Sequence, residues 1–317
     1  MGQTAGSLES VGRLTMKKIL ITGASGFIGR HVTEEMIQRG YTVYAPSIAP
    51  TLPSQPGLIQ TKLDFFDKSA LNAYLQEHKF ANLIHLAWYV GPKCHMSAGN
   101  IDWMCMSLEL LKTFATCGGK TFLGAGSVSE YDFSCGFLQE SQTPLTNPSL
   151  YGQAKAALYN MGKIFCKQKD IAFKWARIFN LYGPYERAAR LMPSVICSML
   201  KGEDVRVSPC SKFLDYLHVE DTARGIAQLF ESNVTDAVNI SSGQPIQLRY
   251  IVEEIARLTG FKGKILWGAL EENFADPIIA GSNTRLTQEV GWTPRYSLQS
   301  GLEQTIHWWK EHLDEHI

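Results

Sequence analysis

The sequence predicts an α/β fold, a doubly wound parallel sheet to which a smaller C-terminal lobe is attached. Two observations carry that expectation. Between residues 17 and 180 short apolar runs alternate with amphipathic stretches, and beyond Asn180 the alternation breaks up. Strands that alternate with helices pair in parallel, because each helix returns the chain to the same end of the sheet and covers one of its faces.

The elements follow in order. Lys18–Thr22 (KILIT) is an apolar strand running into a glycine-rich turn. Phe27–Arg39 places Ile28, Val32, Met36 and Ile37 at helical spacing, and Gly40 is set to end that helix. Thr42–Ala45 is a second strand. Leu83–Ala87, Thr121–Ala125 and Ile171–Phe179 are further apolar runs, with helices expected near Asp67–Glu77, Ile101–Ala115 and Leu150–Lys167. Past Asn180, Pro184, Pro193, the loop around Pro209 and Ser241-Ser242-Gly243 interrupt the chain. A last helix aligns Leu298, Leu302, Ile306, Trp309 and Leu313 on one face, a stripe most simply read as core packing.

Bulk properties exclude several classes of function. Thirty basic residues balance thirty acidic ones, so no global field draws the chain to nucleic acid or to an anionic membrane, and an anionic substrate must be held by a local pocket. No apolar run reaches the ~18 residues of a membrane span. The seven cysteines are odd in number, widely spaced and free of CxxC, which reads as reduced thiols in a cytoplasmic protein, with neither a disulfide framework nor a metal site.

Gly23-Ala24-Ser25-Gly26-Phe27-Ile28-Gly29 follows a strand and opens a helix. In that context one glycine permits a tight turn, the next lets backbone approach a pyrophosphate, and the third lets helix pack on strand, as in the dinucleotide-binding (Rossmann) arrangement. The helix N-terminus adds unpaired N–H groups and a partial positive charge. The second strand ends Tyr44-Ala45-Pro46-Ser47, without the carboxylate that usually holds the adenosine ribose. A 2′-phosphate is therefore not repelled, and Ser47 can donate to it, which leans the cofactor slightly toward NADP over NAD. Asp64, followed by Phe65, can accept from the adenine amino group; a capping or turn aspartate explains it equally well.

Tyr151-Gly152-Gln153-Ala154-Lys155 sets a phenol and an ammonium on one helix face. The same spacing recurs at Tyr89…Lys93, where Pro92 forbids a regular helix, and at Tyr159…Lys163, which nothing nearby singles out. Tyr151 differs in opening its helix directly after the turn Asn147-Pro148-Ser149. Ser127 stands just past an apolar strand, where ligands of a parallel sheet lie. A phenol with pKa near 10 needs help to move protons at neutral pH, and a shift of about three units requires roughly 4 kcal/mol. Lys155 is expected to supply part of it, with Ser127 hydrogen-bonding the reacting oxygen.

Taken together, these motifs resemble the extended short-chain dehydrogenase/reductase family, in its nucleotide-sugar branch, over residues 16–315. The resemblance rests on the glycine loop, Asp64, His85-Leu86-Ala87, Ser127, Tyr151, Lys155, Arg177-Ile178-Phe179-Asn180-Leu181-Tyr182-Gly183-Pro184, Asp215–Asp221 and Gly291-Trp292-Thr293-Pro294. It implies a cofactor site of Gly23, Ser25, Gly26, Phe27, Ile28, Gly29, Ser47, Asp64, Phe65, Leu86, Ala87, Tyr151, Lys155 and Ile178. It implies substrate contacts from Trp88, Asn100, Ser127, Val128 and Asn180, with Arg187 and Arg190 meeting the diphosphate or standing as solvated loop charges. The partition implied is a disordered leader over 1–15, with Met16 as the functional start, and a dinucleotide-binding domain over 16–180 with a return segment near 219–240. Residues 181–218 and 241–317 make the substrate-binding lobe. A homodimer through the helix of Tyr151 is implied as well.

Departures narrow the activity. Leu214 stands where the family often has an arginine, Trp88 replaces a small residue, and Val128-Ser129 follow Ser127 where the 4,6-dehydratases carry Asp-Glu. The expected reaction is NAD(P)H-dependent reduction of the C4 ketone of a nucleotide-diphosphate-linked 4-keto-6-deoxy sugar. The alternatives are an NAD-dependent C4 epimerase, a reductase of a non-sugar carbonyl, and a dinucleotide sensor without catalysis.

Overall fold

The computed structural model describes residues 17–91, 93–271 and 277–316; the leader expected over 1–15 lies outside them. The elements in chain order are β1 (Lys17–Thr22), α1 (Phe27–Gln38), β2 (Tyr41–Ser47), β3 (Leu58–Lys62), α2 (Lys68–His78), β4 (Asn82–His85), α3 (Gly99–Thr116) and β5 (Thr121–Ser127). They continue with β6 (Phe137–Leu138), α4 (Leu150–Gln168), β7 (Ala172–Ile178), β8 (Asn180–Tyr182), α5 (Leu191–Lys201), β9 (Val205–Arg206), β10 (Phe213–His218) and α6 (Val219–Glu231). The last are β11 (Asp236–Ile240), β12 (Pro245–Gln247), α7 (Leu248–Thr259), β13 (Ile265–Leu266), β14 (Ile278–Gly281) and α8 (Leu298–His312).

Seven strands form one parallel sheet in the order β3-β2-β1-β4-β5-β7-β11. Adjacent residues of β1 face opposite sides: Ile19 and Ile21 pack with Val32, Met36 and Ile226 under α1 and α6, whereas Leu20 packs with Leu110, Phe122 and Leu158 under α3 and α4. Both faces are apolar, which is why the strands read as continuous runs and not as alternations. The chain winds one way through β1, β2 and β3 and the other way through β4, β5 and β7. The crevice at that reversal opens at the carboxyl ends of β1 and β4.

A second, mixed sheet joins β12-β10-β14-β6, with β8 beside β10. Its core holds Phe179, Tyr182, Met192, Leu214, Ile251 and Trp309. The stripe on α8 enters this core through Leu302, Ile306 and Trp309. One carboxylate ties the region together: Asp215 accepts from Ser242 N (2.8 Å), Ser242 Oγ (2.7 Å), Gly243 N (3.0 Å) and Gly281 N (3.2 Å). Local signals set the helix starts. Asp67 caps α2 by accepting from Ser69 and Ala70, and Ser149 caps α4 by accepting from Gly152.

Candidate active site

The loop after β1 is closed around its glycines. Gly23 has φ +70°, and a Cβ there would lie 2.7 Å from Ala87 N. A Cβ on Gly29 would fall 1.9 Å from Gly23 O, so no larger residue lets α1 sit on this turn. Gly26 is the N-cap of α1 and has no side chain to cap it, which leaves the first-turn N–H groups for an outside acceptor. Such a cradle fits a pyrophosphate. Ser25, Phe27 and Ile28 complete the loop. Beside it Thr22 Oγ1 accepts from Ala87 N (3.2 Å) and bonds His85 Nδ1 (2.7 Å), and His85 Nε2 bonds Ser107 Oγ (2.8 Å). Burial holds the imidazole neutral, pushing it down to about 3, and this chain sets the course of Leu86-Ala87 over the crevice. Ser47 ends β2 at the same edge. Asp64 is exposed and spends one oxygen on Phe66 N (2.9 Å), a turn contact, while Phe65 is buried against α2.

Ser127 is the last residue of β5, and its Oγ accepts from Ser129 N at 3.1 Å. Helix α4 begins hard against that turn: a Cβ on Gly152 would lie 1.9 Å from Ser129 O. The close approach sets the Tyr151 phenol beside the Ser127 turn, near enough for the serine side chain to act on its titration. Lys155 is buried, donates to Ala125 O at 2.8 Å, and sits 3.8 Å over the Trp88 ring and 6.0 Å from the centre of the Tyr151 ring. Ile178, paired with Ser127 across β5 and β7, is buried below.

The electrostatics differ from the expectation. Burial pushes the Tyr151 phenol up to about 12, opposed by the Ser127 side chain, and pushes Lys155 down to about 7, opposed by the charge of Glu130. In the chain's own field desolvation dominates, and the phenol keeps its proton at neutral pH.

On the substrate side, Trp88 meets Tyr151 edge-on at 6.4 Å and His95 meets it at 5.4 Å. Asn100 is fully buried: it accepts from Trp88 Nε1 (2.9 Å) and donates to Cys94 O (2.6 Å) and Ser97 O (2.8 Å). It therefore shapes the loop that carries Trp88 and His95. Val128 borders the second core, and Asn180 Nδ2 donates to Asp215 O at 3.3 Å. Arg187 donates to Val90 O, and Arg190, 63% exposed, lies 3.7 Å from Glu186. Leu214 is buried in the second core, and the sequence places no guanidinium at that position.

Sequence reasoning passed over Glu130, Arg177 and Glu186. Arg177 stood inside a quoted motif and Glu130 directly follows Ser129, but nothing in one sequence shows that they meet. Glu186 is buried at the strained Tyr185 (φ +68°), and one of its oxygens has no hydrogen-bond partner. Burial pushes its carboxyl up to about 8 against the pull of Arg190. A carboxyl raised from 4.5 in this way favours the folded state below about pH 4.5, and the contribution is lost as pH rises through 8. Glu186→Gln should consequently raise Tm by several degrees at pH 8.5, and the gap to wild type should close near pH 5 in thermal melts.

Among the described residues no helix is long and apolar enough to cross a membrane. All seven cysteines are free thiols. The profile of the "NAD dependent epimerase/dehydratase family" matches residues 19–241. CDP-abequose synthase of Salmonella muenchen is 23% identical over 92% of this chain and 97% of its own length. GDP-L-colitose synthase of Yersinia pseudotuberculosis is 24% identical over 91% and 96%. Among solved structures, UDP-glucose 4-epimerase of Thermotoga maritima with UDP-glucose superposes with a TM-score of 0.85 at 21% identity, covering 93% of this chain and 99% of that one. The Thermus thermophilus UDP-glucose 4-epimerase in complex with NAD gives 0.81 at 20% identity, over 92% and 99%. These two likenesses carry the fold alone. With a matched profile over most of its length, the chain belongs to the NAD dependent epimerase/dehydratase family.

Proposed function

We propose that the chain reduces the C4 ketone of a nucleotide-diphosphate-linked 4-keto-6-deoxy sugar. The observation that carries this reading is the half-buried Tyr151 ring, packed edge-on against Trp88 with Lys155 beneath it, whose phenol desolvation keeps protonated. A proton donor is what a newly formed alkoxide requires. A dinucleotide with its pyrophosphate on the glycine loop would supply the hydride from its nicotinamide. Ser127 orients the carbonyl, Tyr151 gives its proton to the alkoxide oxygen, and Lys155 holds the nicotinamide ribose. Leu86, Ala87 and Ile178 line the cofactor, with Ser47 and Asp64-Phe65 at its adenosine end. Trp88, Val128 and Asn180 border the sugar and Asn100 positions Trp88, while Arg187 and Arg190 face the diphosphate. Residues 181–218 and 241–317 serve as the substrate lobe. The free thiols support a cytoplasmic protein. The names of the abequose and colitose synthases support a deoxysugar product.

The test is absorbance at 340 nm with GDP-, CDP-, UDP- and dTDP-linked 4-keto-6-deoxyhexoses. One equivalent of NADPH, or of NADH, should be consumed per sugar with one of them. The other reading, a C4 epimerase with held NAD, draws on the likeness to UDP-glucose 4-epimerases. It predicts interconversion of the C4 epimers without net absorbance change. The preference between cofactors follows from the same traces: Ser47 supports faster turnover with NADPH.

A homodimer is part of this proposal. Met161 and Ile164 on α4 and Ile101 on α3 are large, apolar and exposed, as a helix face covered by a second copy would be. Ile164→Glu should convert a dimer to a monomer in sedimentation velocity; an unchanged sedimentation coefficient, or a monomeric wild type, contradicts it.

A further inference from the structure

Beneath the site lies a charge pair that the scheme above does not use. Glu130 and Arg177 are both fully buried and joined Nε to Oε2 at 2.7 Å. The same carboxylate's Oε1 accepts from the backbone N–H of Ser127 at 2.8 Å and from Trp175 Nε1 at 2.9 Å. Glycines of β5 make the room: a Cβ on Gly126 would lie 2.5 Å from Glu130 Oε1 and 2.2 Å from Trp175 Nε1. Arg177 is held in turn by Tyr131 Oη (3.0 Å) and Glu140 O (3.2 Å), with the rings of Tyr131 and Tyr159 each 4.7 Å from its guanidinium. Stability is a weak reason for such a pair. Desolvating two charges costs several kcal/mol, and an apolar pair of similar volume often serves a core as well.

What sets this pair apart is where the carboxylate points. It grips the backbone of Ser127, the residue whose side chain acts on the phenol. We propose that Glu130 and Arg177 are positioning residues for the reduction: the carboxylate fixes Ser127 and with it the hydroxyl against Tyr151, and the guanidinium balances the carboxylate's charge. The inference rests on the reading of Ser127 and Tyr151 as reacting groups. Charge balance matters because Glu130 acts on both groups of α4, raising the Tyr151 phenol and the Lys155 ammonium. The other charged or titratable groups around this cluster are Arg177 from β7, Cys94 and His95 facing Tyr151, His85 from β4 facing Lys155, Tyr131 and Tyr159 on the guanidinium, and Glu140 after β6.

Glu130→Gln tests it. The amide sets one of its N–H groups against the Arg177 or Ser127 donor and removes the negative charge. With the fastest sugar of the panel, kcat should fall roughly 10- to 100-fold at unchanged folded fraction, as misplacement of a reacting group does. KM for the dinucleotide should stay put. The alkaline limb of the rate, on which Lys155 and then Tyr151 lose their protons, should move to lower pH, because Arg177 then stands unbalanced. Glu130→Gln with Arg177→Met removes both charges and the opposed donor, and should restore the limb and much of kcat. Wild-type kcat in Glu130→Gln, or a loss that only tracks unfolded protein with the limb unmoved, overturns the proposal. Should that variant not fold, Trp175→Phe takes one donor from the carboxylate and leaves both charges. It should lower kcat with the limb unmoved, and wild-type kcat there also overturns the proposal. Tyr151→Phe, assayed alongside, separates the two readings. If it turns over, the reacting groups are misassigned; if it is dead while Glu130→Gln is normal, only the positioning role is lost.

Discussion

Tyr151→Phe should lower kcat by about 10²- to 10⁴-fold, the range of one positioned proton donor, while the dissociation constant for the dinucleotide changes little. The ring stays, and with it the edge contacts to Trp88 and His95; only the phenolic oxygen is removed. The geometry explains why the loss should fall on turnover. Lys155 is anchored to Ala125 O and lies over Trp88, so its position does not depend on the phenol. Dinucleotide titration by quenching of tryptophan fluorescence, beside steady-state rates at 340 nm, separates the two quantities. Equal turnover in the variant removes Tyr151 from the chemistry.

The second large effect is expected at Gly29→Ala. Its methyl would sit 1.9 Å from Gly23 O and 2.9 Å from Ala24 Cα, closer than any carbon contact tolerates. Helix α1 must then move off β1, and the first-turn N–H groups move with it. Overpacking of this kind costs roughly 1–3 kcal/mol of stability. The loss of dinucleotide affinity should exceed tenfold, because every backbone donor to the pyrophosphate shifts at once. Denaturant melts and the same titration report the two losses. Gly40→Ala is the control: that glycine has φ +84° with nothing near its missing Cβ, so it should lose some stability and keep its affinity.

The parts of this molecule that one sequence makes legible are those fixed by local chemistry. Strand β1, the glycine turn and α1 follow from an apolar run, three glycines and helical spacing, and the structure places them within a residue or two of expectation. Tyr151 stood out from Tyr159 only by its position at a helix start. The structure shows what Tyr159 and Lys163 do instead: both bind Asp236 at the first residue of β11, away from the crevice. The second sheet was not readable, because β6, β8, β12 and β14 are two to four residues long and show no period. Nor was the direction of the Tyr151 shift, since charge spacing is written in a sequence and desolvation is not. Glu130 and Arg177 were visible as residues but not as a pair, because only the close packing of β5 on β7 brings them together.

Most direct of all is a crystal structure of the chain with NADP⁺. The pyrophosphate is expected on the N–H groups of residues 24–29, the ribose on Lys155, and the nicotinamide ring beside the Tyr151 oxygen and Ser127. A dinucleotide bound elsewhere on the molecule, or a Tyr151 ring turned out of the crevice, would contradict the account.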